Sequence, residues 1–144
     1  MIVVGVDGSR GSRRALAWAA REAALRGTAL RAVYAWRRPV AGGRTYIPAE
    51  LLSTPRLQER ALALLDAVVE AVADGHVPVE PVAVEGQAAD VLIGQARDAE
   101  LLVVGSRGHG RLVGALVGSV GQGCLDHAPC PVVVVPPPPE AANP

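Results

Sequence analysis

The chain has no lysine, no phenylalanine and only two cysteines among its 144 residues, and aromatic side chains make up 3%. Without lysine there is no ammonium group to sit on β- and γ-phosphates in a Walker-type loop, no Schiff-base amine and no lysine general base. Cys124 and Cys130 lie six positions apart, which is neither a CxxC pair nor a disulfide framework, and they read as free thiols of a reducing compartment. No segment approaches the ~20 apolar residues of a membrane span, so no membrane partner is expected. Met1 opens on a short apolar run that stops at Asp7, unlike the longer core of a secretory leader, and a cytoplasmic setting is expected. Nor is there an excess of one charge, because 14 basic residues, all arginine, balance 14 acidic ones. Proteins that track nucleic-acid phosphates carry a cationic surplus, so no nucleic-acid partner is expected.

What is present is aliphatic. Half of the residues are hydrophobic, most of them Ala and Val. A globule of this length buries roughly 68–70% of its unfolded surface and needs no metal or disulfide to hold it, so one domain over residues 1–136 is the natural reading. Ile2 to Val6, Leu30 to Trp36, Val77 to Val84, Leu101 to Val104 and Val132 to Val135 read as strands, several as unbroken apolar runs suited to a sheet covered on both faces. Between them, helices are expected from Ser12, a candidate N-cap, to Arg26; from Thr54 and Pro55 to about Gly75; from Gly86 to Arg97; and from Gly118-Ser119 to just before Pro129. Residues 37–53 carry prolines and glycines without a period and read as a long loop. The last residues, 137–144, read as a Pro-rich disordered tail.

Strand and helix alternate, which calls for an α/β fold with a doubly wound, open, five-stranded parallel sheet and helices on both faces. Pro78 and Pro81 cannot donate to a ladder, so the third strand belongs at an edge. That favours the order 3-2-1-4-5 over 2-1-3-4-5, and it places a ligand beyond the carboxyl ends of strands 1 and 4, where the order reverses. Those two strands run into Asp7-Gly8-Ser9 and into the glycine-dense segment Gly105-Ser106-Arg107-Gly108-His109-Gly110-Arg111, which continues past Gly114 to Gly118-Ser119-Val120. Glycines let a backbone come close to a ligand, and loop amides with the free N–H groups of a helix start form an anion cradle. The bland alternative is an ordinary loop ending in a serine cap; its place at the switch point favours a phosphate-bearing ligand.

The spacing is not GxGxxG, because the last glycine of that pattern is missing after His109, and Walker A is excluded by the missing lysine. Gly105, Gly108, Gly118 and Ser119 instead follow G-x2-G-x9-G-[S/T], and Val-Asp-Gly-Ser at 6–9 closes the first strand. On these residues the chain resembles the universal stress protein family, in its single-domain, ATP-binding form, over essentially its whole length. The resemblance implies ATP, with or without Mg²⁺, held through Gly105, Arg107, Gly108, Gly118, Ser119 and Val120 as phosphate or ribose neighbours. It places Asp7 and Ala35 beside the adenine, with Gly8, Ser9 and Val104 alongside. Asp7 also has a second reading, as a brace for its own loop. His109 and Trp18 and Trp36 are favoured as solvated and packing residues respectively, and Cys124 as buried and inert. The resemblance further implies a homodimer through Val132 to Val135, an edge that would otherwise be exposed. The function expected is a nucleotide-binding regulatory module of the stress response. A slow ATPase and a dimeric interaction module with no nucleotide are the alternatives, and no catalytic residue or metal site is assigned.

Overall fold

In a computed structural model, residues 1–39, 46–107 and 117–138 are described. Strands β1 (Ile2–Gly5), β2 (Leu30–Trp36), β3 (Val79–Glu85), β4 (Leu101–Gly105) and β5 (Val132–Val135) form one parallel sheet. Their order is β3-β2-β1-β4-β5, as expected, although of the two prolines only Pro81 lies within β3, which begins after Pro78. Pro81 pairs in register with Ala32 at the β3 edge, so its missing N–H costs no second ladder. Val3 and Val4 at the sheet centre are fully buried on opposite faces, which is why β1 is an unbroken apolar run.

Helices α1 (Arg10–Arg26) and α2 (Thr54–Val72) cover one face; α3 (Ala88–Gln95) and α4 (Ser119–His127) cover the other. The inner face of α1 is mostly alanine, with Ala15, Leu16, Ala19 and Ala23 fully buried, and such small side chains let the helix lie close on the sheet. Trp36 is a packing residue: its indole N–H donates to Oε1 of Gln58 at 2.7 Å, and the Gln58 amide donates to the Ala83 carbonyl at 2.8 Å. No helix among the described residues is long and apolar enough to cross a membrane.

Several boundaries differ from the sequence reading: β1 closes at Gly5, β3 runs from Val79 to Glu85, β4 reaches Gly105, and α2 and α3 end earlier, at Val72 and Gln95. The N-cap of α1 is Ser9, whose hydroxyl accepts the Ser12 N–H at 3.2 Å. Ser12 lies inside the helix and is buried, its hydroxyl donating to the Ser9 carbonyl and accepting from the Asp7 N–H. Helix α3 begins at Ala88 rather than Gly86, because Gly86 has φ of 152° and Gln87 is extended. The loop after β2 holds a short 3₁₀ turn, Ala49–Leu52, tied down by Arg38, which donates to Glu85 at 3.0 Å, to the Leu52 carbonyl at 3.3 Å and to Thr54. The expected tail falls largely on residues 139–144, which lie outside the described residues.

Candidate functional site

Beyond the carboxyl ends of β1, β2 and β4 the sheet opens into a cavity of about 420 Å³, a volume within the usual range for small-molecule sites. Its wall is assembled from strand ends and helix beginnings. The strands supply Gly5, Val33, Ala35, Val104 and Gly105; the residues after β1 and β4 supply Val6, Asp7, Ser9, Ser106 and Arg107; and the beginnings of α1, α3 and α4 supply Ser12, Ala88, Gly118, Ser119, Val120 and Gly121. Leu92 of α3 completes it. Val33 and Ala35 both contribute because residues two apart in a strand share a face.

Two helices present their positive ends here. Neither α1 nor α4 carries an acidic residue in its first turn, and the Gly118 N-cap of α4 offers no side-chain acceptor. Within α4 the N–H groups of Ser119, Val120 and Gly121 have no intrahelical acceptor, whereas the Gly118 N–H is already committed to the Ser106 carbonyl at 2.7 Å. Ser119, Val120 and Gly121, with these three amides, and Arg107 thus line the same space, an arrangement that favours anionic oxygens.

The glycines here have separable reasons. A Cβ on Gly105 would lie 2.8 Å from the backbone of Gly11, and one on Gly11 would overlap the Arg107 carbonyl oxygen. Contact between the first turn of α1 and the end of β4 therefore accounts for both. Gly118 is different. Its φ of −70° suits any residue, and a Cβ there would meet only ordinary contact, at 3.5 Å from the Ser106 oxygen. Among the described residues, nothing crowds a Cβ at 118.

Of the residues singled out in the sequence, Asp7, Ser9, Ala35, Val104, Gly105, Arg107, Gly118, Ser119 and Val120 line this one cavity. Gly8 does not; it forms the turn, with φ of 83°, and its carbonyl accepts from Nε of Arg13 at 3.3 Å. Gly108, His109 and Arg111 lie outside the described residues. Asp7 does brace its loop, its Oδ1 accepting the Ser9 N–H at 2.9 Å. Ser106, Gly121, Ser12, Ala88 and Leu92 line the cavity without having been singled out. Ser106 could have been found inside the glycine segment, and Gly121 three residues after Gly118; Ala88 and Leu92 carry no local signal, since only the crossing of α3 over the sheet brings them in.

The model of the universal stress protein family matches residues 1–136. The chain belongs to that family. Universal stress protein Rv2623 of Mycobacterium tuberculosis is 36% identical over 140 residues, which are 93% of this chain and 46% of that protein. The chain spans about half the length of the curated relatives it matches. Among solved structures, a universal stress protein in complex with cAMP is 27% identical with a TM-score of 0.61, covering 93% of this chain and 94% of that one. The universal stress protein from Archaeoglobus fulgidus in complex with dAMP is 25% identical with a TM-score of 0.57, covering 92% and 94%. The open parallel sheet described above is thus a universal stress protein fold.

Proposed function

We propose that the cavity binds an adenine nucleotide, ATP by preference, and that the chain is a regulatory module of the stress response whose state follows occupancy. The observation that carries this reading is Gly118: neither its backbone conformation nor the neighbouring atoms of the described residues call for glycine there, and a ligand that passes close to the backbone accounts for the missing side chain. The Ser119, Val120 and Gly121 amides would take phosphate oxygens, with Ser119 Oγ and Arg107 adding a hydroxyl and a permanent cation in place of the lysine the chain lacks. Adenine nucleotides bound to two relatives of the same fold support the choice of base. A role for Asp7 as a hydrolytic base finds no support, since its Oδ1 already holds the loop. The reading includes a homodimer paired through β5 and a cytoplasmic setting in which Cys124 and Cys130 remain free thiols.

Titration calorimetry with ATP, with and without Mg²⁺, tests it. Wild type is expected to bind. Gly118→Val, at a position whose φ of −70° suits any residue, is expected to lose at least about tenfold in affinity, equivalent to about 1.4 kcal/mol, while keeping its circular dichroism and melting temperature. Equal affinity in the two proteins would remove the phosphates from this loop.

A further inference from the structure

We infer that Leu92 is a specificity-determining residue, which limits the size of the ring that the cavity admits, and that Gly5 lets it do so. The inference rests on the nucleotide reading above and extends it to the base. The cavity has two chemistries: a polar part made by Ser106, Arg107 and Ser119 after β4 and at the start of α4, and an apolar part made by Gly5, Val33, Ala35, Ala88 and Leu92. In that apolar group Leu92 is the one side chain larger than valine. It is 4% exposed and packed with Val33 in the core beneath α3.

Its position depends on Gly5. A Cβ on Gly5 would lie 2.9 Å from Cδ1 and 3.3 Å from Cδ2 of Leu92, so both methyl groups press on the β1 backbone where a side chain would otherwise stand. Gly5 is not among the glycines with positive φ, so its conformation does not call for glycine; the space taken by Leu92 does. The two form a matched pair, an absent side chain on β1 filled by a long one from α3. The side chains of this group are aliphatic, so it discriminates by volume, and volume mismatches in apolar pockets are read as affinity ratios of roughly 10- to 200-fold.

The test is the ratio of dissociation constants for ATP and N6-benzyl-ATP, whose base is enlarged at one edge, in wild type, Leu92→Ala, Leu92→Val and Gly5→Ala. Wild type is expected to prefer ATP by about a hundredfold. Leu92→Ala is expected to narrow that preference by about tenfold or more, and Leu92→Val, which keeps more of the core, to narrow it less. Gly5→Ala, which adds a methyl to the same wall, is expected to weaken ATP itself. A wild type that binds both analogues equally, or a preference unchanged in both Leu92 variants while ATP still binds, overturns the role of Leu92 and leaves nucleotide binding standing. Failure of wild type to bind ATP at all overturns the nucleotide reading, and this inference with it.

Discussion

Cys124 has no solvent exposure on the inner side of α4, and burial pushes its thiol from 9.0 up to about 11, the nearby Cys130 sulfur adding a smaller push in the same direction. The fold thus favours the neutral thiol over the thiolate. The stabilisation is fully present below the unfolded pKa and is lost as pH rises through about 11. A shift of this size corresponds to on the order of 2 kcal/mol, enough to register in a small domain. Melting temperature followed from pH 8 to 11 is therefore expected to fall less steeply in Cys124→Ala than in wild type, although the variant starts lower because of the cavity it leaves. Parallel curves would mean that other groups govern alkaline unfolding. At the same scale, the sequence left Asp7 open between ligand and loop; the Asp7–Ser9 hydrogen bond establishes the loop role and is compatible with both, because the residue also lines the cavity.

Between elements, the contact that positions the site is α1 against the end of β4. Replacing a helical glycine by alanine ordinarily gains about 1 kcal/mol. At Gly11 the added methyl would overlap the Arg107 carbonyl, a backbone atom that cannot swing aside, and overpacking of this kind costs about 1–3 kcal/mol. Gly94 in α3 has no atom of the described residues within 4 Å of the corresponding position. Urea unfolding is thus expected to show Gly11→Ala destabilised and Gly94→Ala stabilised; shifts of the same sign would show that the α1–β4 contact yields easily. This contact also marks what the sequence concealed. Strands β2 and β5 were legible to the residue, β5 because its four valines stand between Pro131 and Pro136 and β2 because Arg37 and Arg38 follow its apolar residues, and the sheet order followed from reading prolines at an edge, where Pro81 does lie. Gly105 was legible only as a member of a spaced motif; the packing that demands a glycine there comes from Gly11, 94 residues earlier in the chain. The start of α1 was misplaced because Ser9 and Ser12 are both plausible caps, and the Asp7–Ser9 turn decides between them. Ala88 and Leu92 were invisible for a related reason, since nothing local distinguishes a residue facing a cavity from one facing the core.

At the scale of the whole molecule, the open question is the β5 edge of the sheet. Val132 to Val134 are half-buried, and among the described residues β5 is paired on one side only, with β4. Exposed apolar edges invite pairing with another strand, and pairing with a second copy about a twofold axis satisfies the edge and closes the assembly. The ladder shows which residues would take part. The Pro131 carbonyl accepts from the Leu102 N–H at 3.0 Å and the Val135 carbonyl from the Ser106 N–H at 3.0 Å, so the odd-numbered residues of β5 are turned toward β4. Alternation along the strand turns the N–H and C=O of Val132 and Val134 outward. Proline at 133 would therefore break the protomer's own sheet and say little about assembly. Proline at 134 removes one outward donor and keeps the inner ladder, as edge prolines do. Light scattering coupled to size exclusion is expected to give a dimer for wild type and a monomer for Val134→Pro, with circular dichroism and ATP affinity retained. A Val134→Pro protein that remains dimeric would mean that the two copies meet elsewhere, and a monomeric wild type would mean that this edge is tolerated bare.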